Sequence, residues 1–497
     1  MKLSDLRPTI VSNRLPIKVD TVDNHYRVVP GTGGLITALA PVLSDHGGTW
    51  IGWPGAPINY ELSNLLKKES ENFGFDLKMV DLSEKEVAGF YRGFSNEIIW
   101  PLFHDLLDHC NFEVSYWETY QGANYKFAKA VMDNSPGDNF IWIQDYHLLM
   151  AGHFLREMGI TDTAFFLHIP FPPKDIYIKL PWRTEILEGL LSYKLIGFQT
   201  ERDRRNFIQC VRHLLPSAKI SHHRKYPYIQ YDNHITRIGA FPISIDFKQM
   251  YDFARSDKVA EAAWLFHEKF PKQKIMLGVD RLDYTKGIPH RLEAFERALR
   301  RYPELRGQLT LVQLVVPSRT GVPEYQALKK QIDEMVGRIN GEFTDQGWAP
   351  IHYIYGTLSK EELFGFYRAA EIALITPHKD GMNLVAKEYC TSCIEDKGVL
   401  ILSEFAGAAS ELEDGAILVN PYNVDEVAEA IFRAHYMESD EQRERIQKMR
   451  ATIRKYDIFR WVDQFVGSFE FKEKHGKELQ ENTAQTTSEE SPETAKK

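Results

Sequence analysis

At 497 residues the chain is too long for one compact core, so two or three domains are expected. With 43% apolar and 26% charged residues it has the make-up of a globular protein, and a net charge of -9 argues against a general nucleic-acid binder. No apolar run reaches the ~18 residues that span a bilayer, and residues 1–8 lack the apolar core of a signal peptide.

In the first half, apolar strand candidates fall at residues 9–12, 49–53, 77–80, 140–144, 164–168, 195–198 and 235–242, with helices at 35–43, 125–132 and 184–191. The alternation is cleaner from Lys274 onward. Strands at 275–279, 309–316, 351–355, 372–376, 399–403 and 417–419 are separated by helix-like segments such as the one carrying Leu292, Phe295 and Leu299. Ser359 with Glu362, and Asn423 with Glu426, have the spacing of N-terminal capping pairs. Alternating strand and helix implies parallel sheets covered on both faces. The expected fold class is α/β, with two doubly wound Rossmann-like lobes facing across a cleft. The expected divisions are a first lobe over 1–245, a second over 246–455, a closing helix over 456–471 that packs back on the first lobe, and a disordered polar tail over 472–497. Basic runs at 202–205 and 222–225 read as solvated faces. Four cysteines do not make a disulfide framework; Cys390 and Cys393 form a single CxxC on a helix, read as apolar packing. The expected compartment is the cytosol.

Several segments can carry chemistry. Asn13-Arg14 ends the first strand, where Arg14 is either an acceptor-phosphate ligand or a surface arginine. Gly31-Thr-Gly-Gly34 leads into a helix and lets a phosphate or sugar approach bare N–H groups, a weak signal alone because glycine pairs are common in turns. Tyr91 and Trp100 suit the stacking wall of a sugar pocket, although buried core aromatics are the commoner case. Asp145 and His168 end successive strands and reach one rim; His168 is equally a ligand or a satisfied core histidine. In Gly278-Val-Asp-Arg-Leu-Asp-Tyr-Thr-Lys-Gly287, Arg281 and Lys286 are two cations able to neutralise a departing nucleoside diphosphate. Otherwise they are surface cations paired with Asp280 and Asp283. Arg319, after the 309–316 strand, is a second phosphate ligand or another surface arginine. Asp380-Gly-Met-Asn-Leu-Val-Ala-Lys-Glu388 follows a strand and opens a helix, so free N–H groups and a positive dipole end face a ligand while Asp380 and Glu388 accept hydroxyl hydrogen bonds. No His/carboxylate cluster has metal-ligand spacing, so a metal-independent site without cofactors is expected.

Together and in order, Val11-Ser-Asn-Arg-Leu-Pro16, Trp50-Ile-Gly-Trp53, Asp145-Tyr-His147, His168-Ile-Pro-Phe171, Arg281 to Lys286, the Asp380 segment and Ser403-Glu-Phe-Ala-Gly407 resemble the trehalose-6-phosphate synthase family, retaining glycosyltransferases of the GT-B fold. The resemblance covers about residues 9 to 470. It implies UDP-glucose as donor, held by Gly33, Gly34, Arg281, Lys286, Leu358, Asp380, Gly381, Met382, Asn383, Leu384, Val385, Ala386, Lys387 and Glu388. Asp380 and His168 would hold the transferred glucose and Glu388 the ribose. It implies glucose 6-phosphate as acceptor, at Arg14, Tyr91, Trp100, Asp145 and Arg319, and a catalytic set of His168, Asp380, Arg281 and Lys286. A separate phosphatase would then remove the product's phosphate; neither nucleic acid nor membrane is an expected partner, and self-association stays open. The rivals are a glucosylglycerol-phosphate synthase and a catalytically silent sugar-phosphate sensor. A dehydrogenase is disfavoured because the dinucleotide glycine spacing is missing.

Overall fold

The computed structural model describes residues 7–469, apart from 23–24, 32, 136–139, 224–225, 320–321 and 346. The tail expected to be disordered, 472–497, lies outside the described residues, as do Thr32 of the glycine loop and Arg224 and Lys225 of the second basic run.

Among the described residues, seventeen strands form two large sheets and a hairpin. In chain order they are β1 (Thr9–Arg14), β2 (Ile17–Val22), β3 (His25–Pro30), β4 (Thr49–Trp53), β5 (Asp76–Met79), β6 (Ile141–Gln144), β7 (Thr163–Phe166), β8 (Leu195–Phe198), β9 (Lys219–His223), β10 (Tyr226–Tyr231) and β11 (His234–Ala240). The second lobe adds β12 (Lys274–Arg281), β13 (Leu309–Val316), β14 (Ile351–Tyr355), β15 (Ile372–Ile375), β16 (Val399–Ser403) and β17 (Ile417–Val419). The first sheet runs β5-β4-β1-β6-β7-β8-β11-β10-β9. Its first seven strands are parallel, and β10 and β9 extend it antiparallel. The second sheet is β14-β13-β12-β15-β16-β17, parallel throughout.

Helices cover both faces, so central strands such as β4, β6 and β16 are buried at every residue and have no polar side to show. That is why continuous apolar runs mark them. Strand order reverses at β1/β6 in one sheet and at β12/β15 in the other. The crevice beyond the carboxyl ends of strands at such a reversal is where open α/β sheets bind ligands. Arg14, Asp145, Arg281 and Asp380 all lie on or just after those four strands.

Among the departures from the expected elements, two lie in the first lobe near the cleft. The β2–β3 hairpin replaces an unassigned stretch, and its alternation of Ile17 and Val19 with polar residues is the period-2 signal that marks it. Residues Val87–Ile99 wind as a π-helix. A Cβ on Gly89 would stand 2.7 Å from Thr119 Oγ1, and one on Gly93 equally close to the Tyr116 ring, so these glycines let the widened coil press on the helix Val114–Asn134.

The chain ends its described course by crossing back. After the helix Ser439–Lys455, the Ile458 N–H donates to Ile245 O at 3.0 Å, and the helix Ile458–Phe469 lies on the first sheet. There Phe465 stacks on Trp142 (4.4 Å between centroids) and Trp461 donates its indole N–H to Phe241 O. Cys390 and Cys393 are buried thiols, Cys390 facing the Met449 sulfur and Cys393 donating to Tyr389 O. Ser359 and Glu362 form a complete capping box, while Asn423 caps alone, accepting from the Glu426 N–H. Among the described residues no helix is long and apolar enough to cross a membrane.

Candidate active site

The second lobe supplies the cations. Arg281 is the last residue of β12 and stays exposed, with no carboxylate within ion-pairing distance among the described residues; its guanidinium stands 5.9 Å from the Trp100 ring of the first lobe. Lys286 follows in a short 3-10 turn, and its ammonium donates to Asp380 Oδ2 at 2.5 Å, both side chains more than four-fifths buried. The alternative pairing with Asp280 and Asp283 does not form. Asp280 is taken by the buried Arg291, and Asp283 caps the Lys286 turn by accepting from Thr285. Burial raises the Asp283 carboxyl, but Arg319, Arg281 and Lys286 outweigh it and hold the group below its ordinary value. Asp380 behaves alike: burial pushes it up, Lys286 pulls it down further, and it remains ionised.

The Asp380 turn is built to approach. Asn383 takes a left-handed conformation (φ 78) and caps the helix Leu384–Ser392 by accepting from the Ala386 N–H at 3.2 Å. The amides of Leu384 and Val385, at the helix start, have no partner within the helix and carry its positive dipole end. A Cβ on Gly381 would sit 2.0 Å from His168 O, and one on Gly34 2.8 Å from Leu384 Cδ1. Both glycines therefore mark places where the lobes touch. Met382 and Ala386 are buried, and Leu358 packs half-buried against the adjoining core. Tyr367 donates to Glu388, whose carboxyl burial raises. Lys387 departs from a donor ligand in its side chain: the ammonium is buried between Glu411 (2.6 Å) and Ile243 O (2.8 Å), which leaves only its backbone for a nucleotide.

The first lobe supplies the opposing wall. Asp145, at φ 73, accepts from the His168 N–H at 3.1 Å; burial lifts its carboxyl to about 6, against the pull of backbone N–H groups and Arg281. A carboxylate in an uncommon backbone conformation at a cleft is a functional signal. His168 donates from Nε2 to Gln144 Oε1 (2.9 Å), and Gln199 reaches its Nδ1 at 3.5 Å. Burial lowers it to about 3, so the ring is neutral and both nitrogens are engaged. Such a ring orients and packs; it does not shuttle protons at neutral pH.

Arg14 leans over Trp53 (4.6 Å) without a carboxylate partner among the described residues, beside Tyr91, which stacks on His147. Arg319 crosses from the second lobe: its guanidinium covers Trp100 at 4.7 Å and donates to the Tyr325 hydroxyl, with Asp283 at 3.9 Å. Sequence reasoning missed the supports of this wall. Asn96 donates to Tyr91 O (2.7 Å) and accepts from the Tyr146 hydroxyl (3.1 Å), whose oxygen faces Arg319. Tyr146 lay inside the Asp145-Tyr-His motif, and the signal there was its place beside a cleft carboxylate. Asn96 had no signal short of the π-helical winding.

One cleft thus gathers three arginines, a lysine and the carboxylates of Asp145, Asp380 and Glu388 around a helix start, with aromatic rings on one side. Phosphates fit the cations and amides, and sugar hydroxyls fit the carboxylates. A family model described as Glycosyltransferase family 20 matches residues 6–470. A bifunctional trehalose-6-phosphate synthase/phosphatase of Thermoproteus tenax is 42% identical over 93% of this chain, which spans 63% of that protein. The UDP-forming α,α-trehalose-phosphate synthase of Candida albicans is 40% identical, over 92% of this chain and 96% of its own length. Among solved structures, a UDP-forming α,α-trehalose-phosphate synthase from Burkholderia xenovorans in complex with glucose-6-phosphate superposes with a TM-score of 0.84 at 31% identity, over 93% of this chain and 99% of that one.

Proposed function

This chain belongs to glycosyltransferase family 20, and from that we infer that it transfers glucose from UDP-glucose to glucose 6-phosphate with retention, releasing UDP and α,α-trehalose 6-phosphate. The observation that carries the assignment within the cleft is the facing of the Arg281–Lys286 turn and the helix start at Leu384 by an aromatic wall bearing Asp145 and Arg14. The diphosphate is placed on Arg281, Lys286 and the amides of Leu384 and Val385, and the ribose on Glu388. Asp380 and the backbone of His168 are placed on the transferred glucose. The acceptor's phosphate is assigned to Arg14 and Arg319 and its ring to Tyr91, Trp100 and Asp145.

In this arrangement the glycosidic C–O bond to UDP breaks as the anomeric hydroxyl of glucose 6-phosphate attacks the same face. Its proton passes to the departing phosphate oxygen, so no enzymic base is required. His168 suits that route, because its nitrogens are already engaged. Two fixed cations carry the leaving-group charge, and no metal is given a role in the proposal. We place the reaction in the cytosol, where the four free cysteines stay reduced. Removal of the product's phosphate is a separate hydrolysis, at a different active site.

UDP release is the test, run with UDP-glucose and either glucose 6-phosphate or glycerol 3-phosphate. Rapid release is expected only with the hexose phosphate, because the aromatic faces of Tyr91 and Trp100 suit a sugar ring better than a three-carbon chain. Rapid release with glycerol 3-phosphate alone would overturn the choice of acceptor.

A further inference from the structure

One ion pair joins the two lobes immediately beside the proposed centre. Lys379, the neighbour of Asp380, reaches across from the second lobe and donates to Asp105 Oδ2 at 2.7 Å. The lysine side chain is 11% exposed and the aspartate 40%. Each partner stands on a turn already held within its own lobe. On one side the His378 N–H donates to Thr285 O and the Asp380 N–H to Phe405 O, which fixes residues 378–380 against the Lys286 turn. On the other, Asp105 follows the short helix Trp100–Phe103, next to its C-cap His104. Its neighbour His104 lies over the Trp100 ring (4.3 Å between centroids) and donates to Trp100 O at 2.7 Å.

Asp105 itself takes φ 62, a conformation that costs energy in a non-glycine residue and aims its carboxylate outward at the lysine. The other charged groups near the lysine are Arg202 and Asp203, at the start of the helix Glu201–Leu214. Asp203 is already engaged, accepting from Thr200 and from the Phe171 N–H. Asp105 is thus the carboxylate left to meet Lys379.

We propose that Asp105 and Lys379 are positioning residues, whose cross-lobe ion pair pins the Trp100 turn to the Asp380 turn and so sets the spacing between acceptor wall and donor sugar. The inference rests on the transfer reaction assigned above, and it concerns geometry, not charge at the reacting atoms. With Asp105 40% exposed to solvent, much of the pair's attraction is screened and its stabilising effect is small. Its effect is instead concentrated where a displacement of about 1 Å can cost on the order of a hundredfold in rate. Separating the turns would also admit water to the activated glucose, turning part of the UDP release into hydrolysis.

The test compares Asp105→Lys, Lys379→Asp, the charge-swapped double variant and the milder Asp105→Asn. Transfer to glucose 6-phosphate and UDP release without acceptor are measured separately. Each single reversal is expected to lower kcat at least about tenfold and raise the hydrolysed share, with KM for either substrate moving less than about threefold. The swapped double is expected to regain most of the lost kcat, and a raised hydrolysed share in the single variants at an unchanged melting temperature is what a merely structural contact would not give. Should the reversals fold poorly, Asp105→Asn carries the test: a fall in kcat with an unchanged melting temperature supports the pin. Single variants with normal kcat, or a double no better than the worse single, would overturn it. A wild-type protein that releases no UDP with glucose 6-phosphate would instead defeat the assigned reaction.

Discussion

Alanine at Arg281 or at Lys286 is expected to lower turnover about a hundredfold, because each removes one preorganised cation worth ~3 kcal/mol from the departing diphosphate. The two variants should differ in everything else. Arg281 is exposed and without an ion-pair partner among the described residues, so Arg281→Ala removes charge from the leaving group and leaves the fold as stable as before. Lys286 neutralises Asp380, and Lys286→Ala strands a buried carboxylate. In the intact protein that carboxyl lies below its ordinary value. Its ionised form therefore contributes stability above the pKa of the unfolded chain, and the contribution is lost as pH falls through the folded value. Without the lysine, burial prevails and the carboxyl moves up, so the variant loses stability as pH rises past the unfolded value. The gap in melting temperature between wild type and Lys286→Ala should accordingly widen from about pH 4 to pH 7, while Arg281→Ala shows no such gap. Turnover by UDP release and scanning calorimetry at those pH values decide the matter. Near-normal turnover in both variants would remove the cations from the mechanism.

The legible part of this molecule was the part in which burial dictates residue type. β4, β8, β13, β16 and β17 begin and end where the apolar runs do, since a strand covered on both faces is made mostly of apolar residues, and the edge strand β14 matches its run although His352 and Tyr355 are exposed. β12 extends beyond its expected end to Arg281, because hydrogen bonding to β13 continues after the apolar run stops. β9 and β10 gave no such run: they form an antiparallel margin with polar residues such as Lys219, Ser221 and Gln230, and an edge hairpin needs only one covered face. The π-helix at Val87–Ile99 was hidden for another reason. Its widened coil depends on Gly89 and Gly93 meeting side chains of a helix some 25 residues later, a contact no local pattern reports. The same split runs through the cleft. Arg281, Lys286 and Asp380 carry charge at strand ends and could be picked out, whereas Lys387 shares the motif yet turns its ammonium into the junction toward Glu411. Position along a helix, not residue type, separates those cases.

Beneath the cation turn lies the feature with the largest expected effect on stability. Arg291, on the helix Ile288–Arg301, is fully buried and donates to Asp280, to Thr376 Oγ1 (3.1 Å), to Gln313 Oε1 (3.2 Å) and to Lys286 O (3.3 Å). One guanidinium therefore ties the end of β12, the middle of β13 and the segment after β15 to the turn that carries Lys286. Burial raises the Asp280 carboxyl even beside this arginine, which indicates that desolvation consumes much of the attraction between them. The pair need not be a source of net stability, but breaking it must be costly, since whichever charge remains is buried alone. Asp280→Ala or Arg291→Ala is expected to lose ~3–5 kcal/mol in denaturant unfolding, and Asp280→Leu combined with Arg291→Met considerably less. Turnover should nevertheless fall in the double variant, because the Lys286 carbonyl loses its donor and the turn loosens. Two-state unfolding curves for the three variants, read beside UDP release, separate the effects. If the single variants unfold at the wild-type denaturant concentration, the charge beneath the turn is solvated, and the rigidity of Lys286 must come from its contact with Asp380 alone.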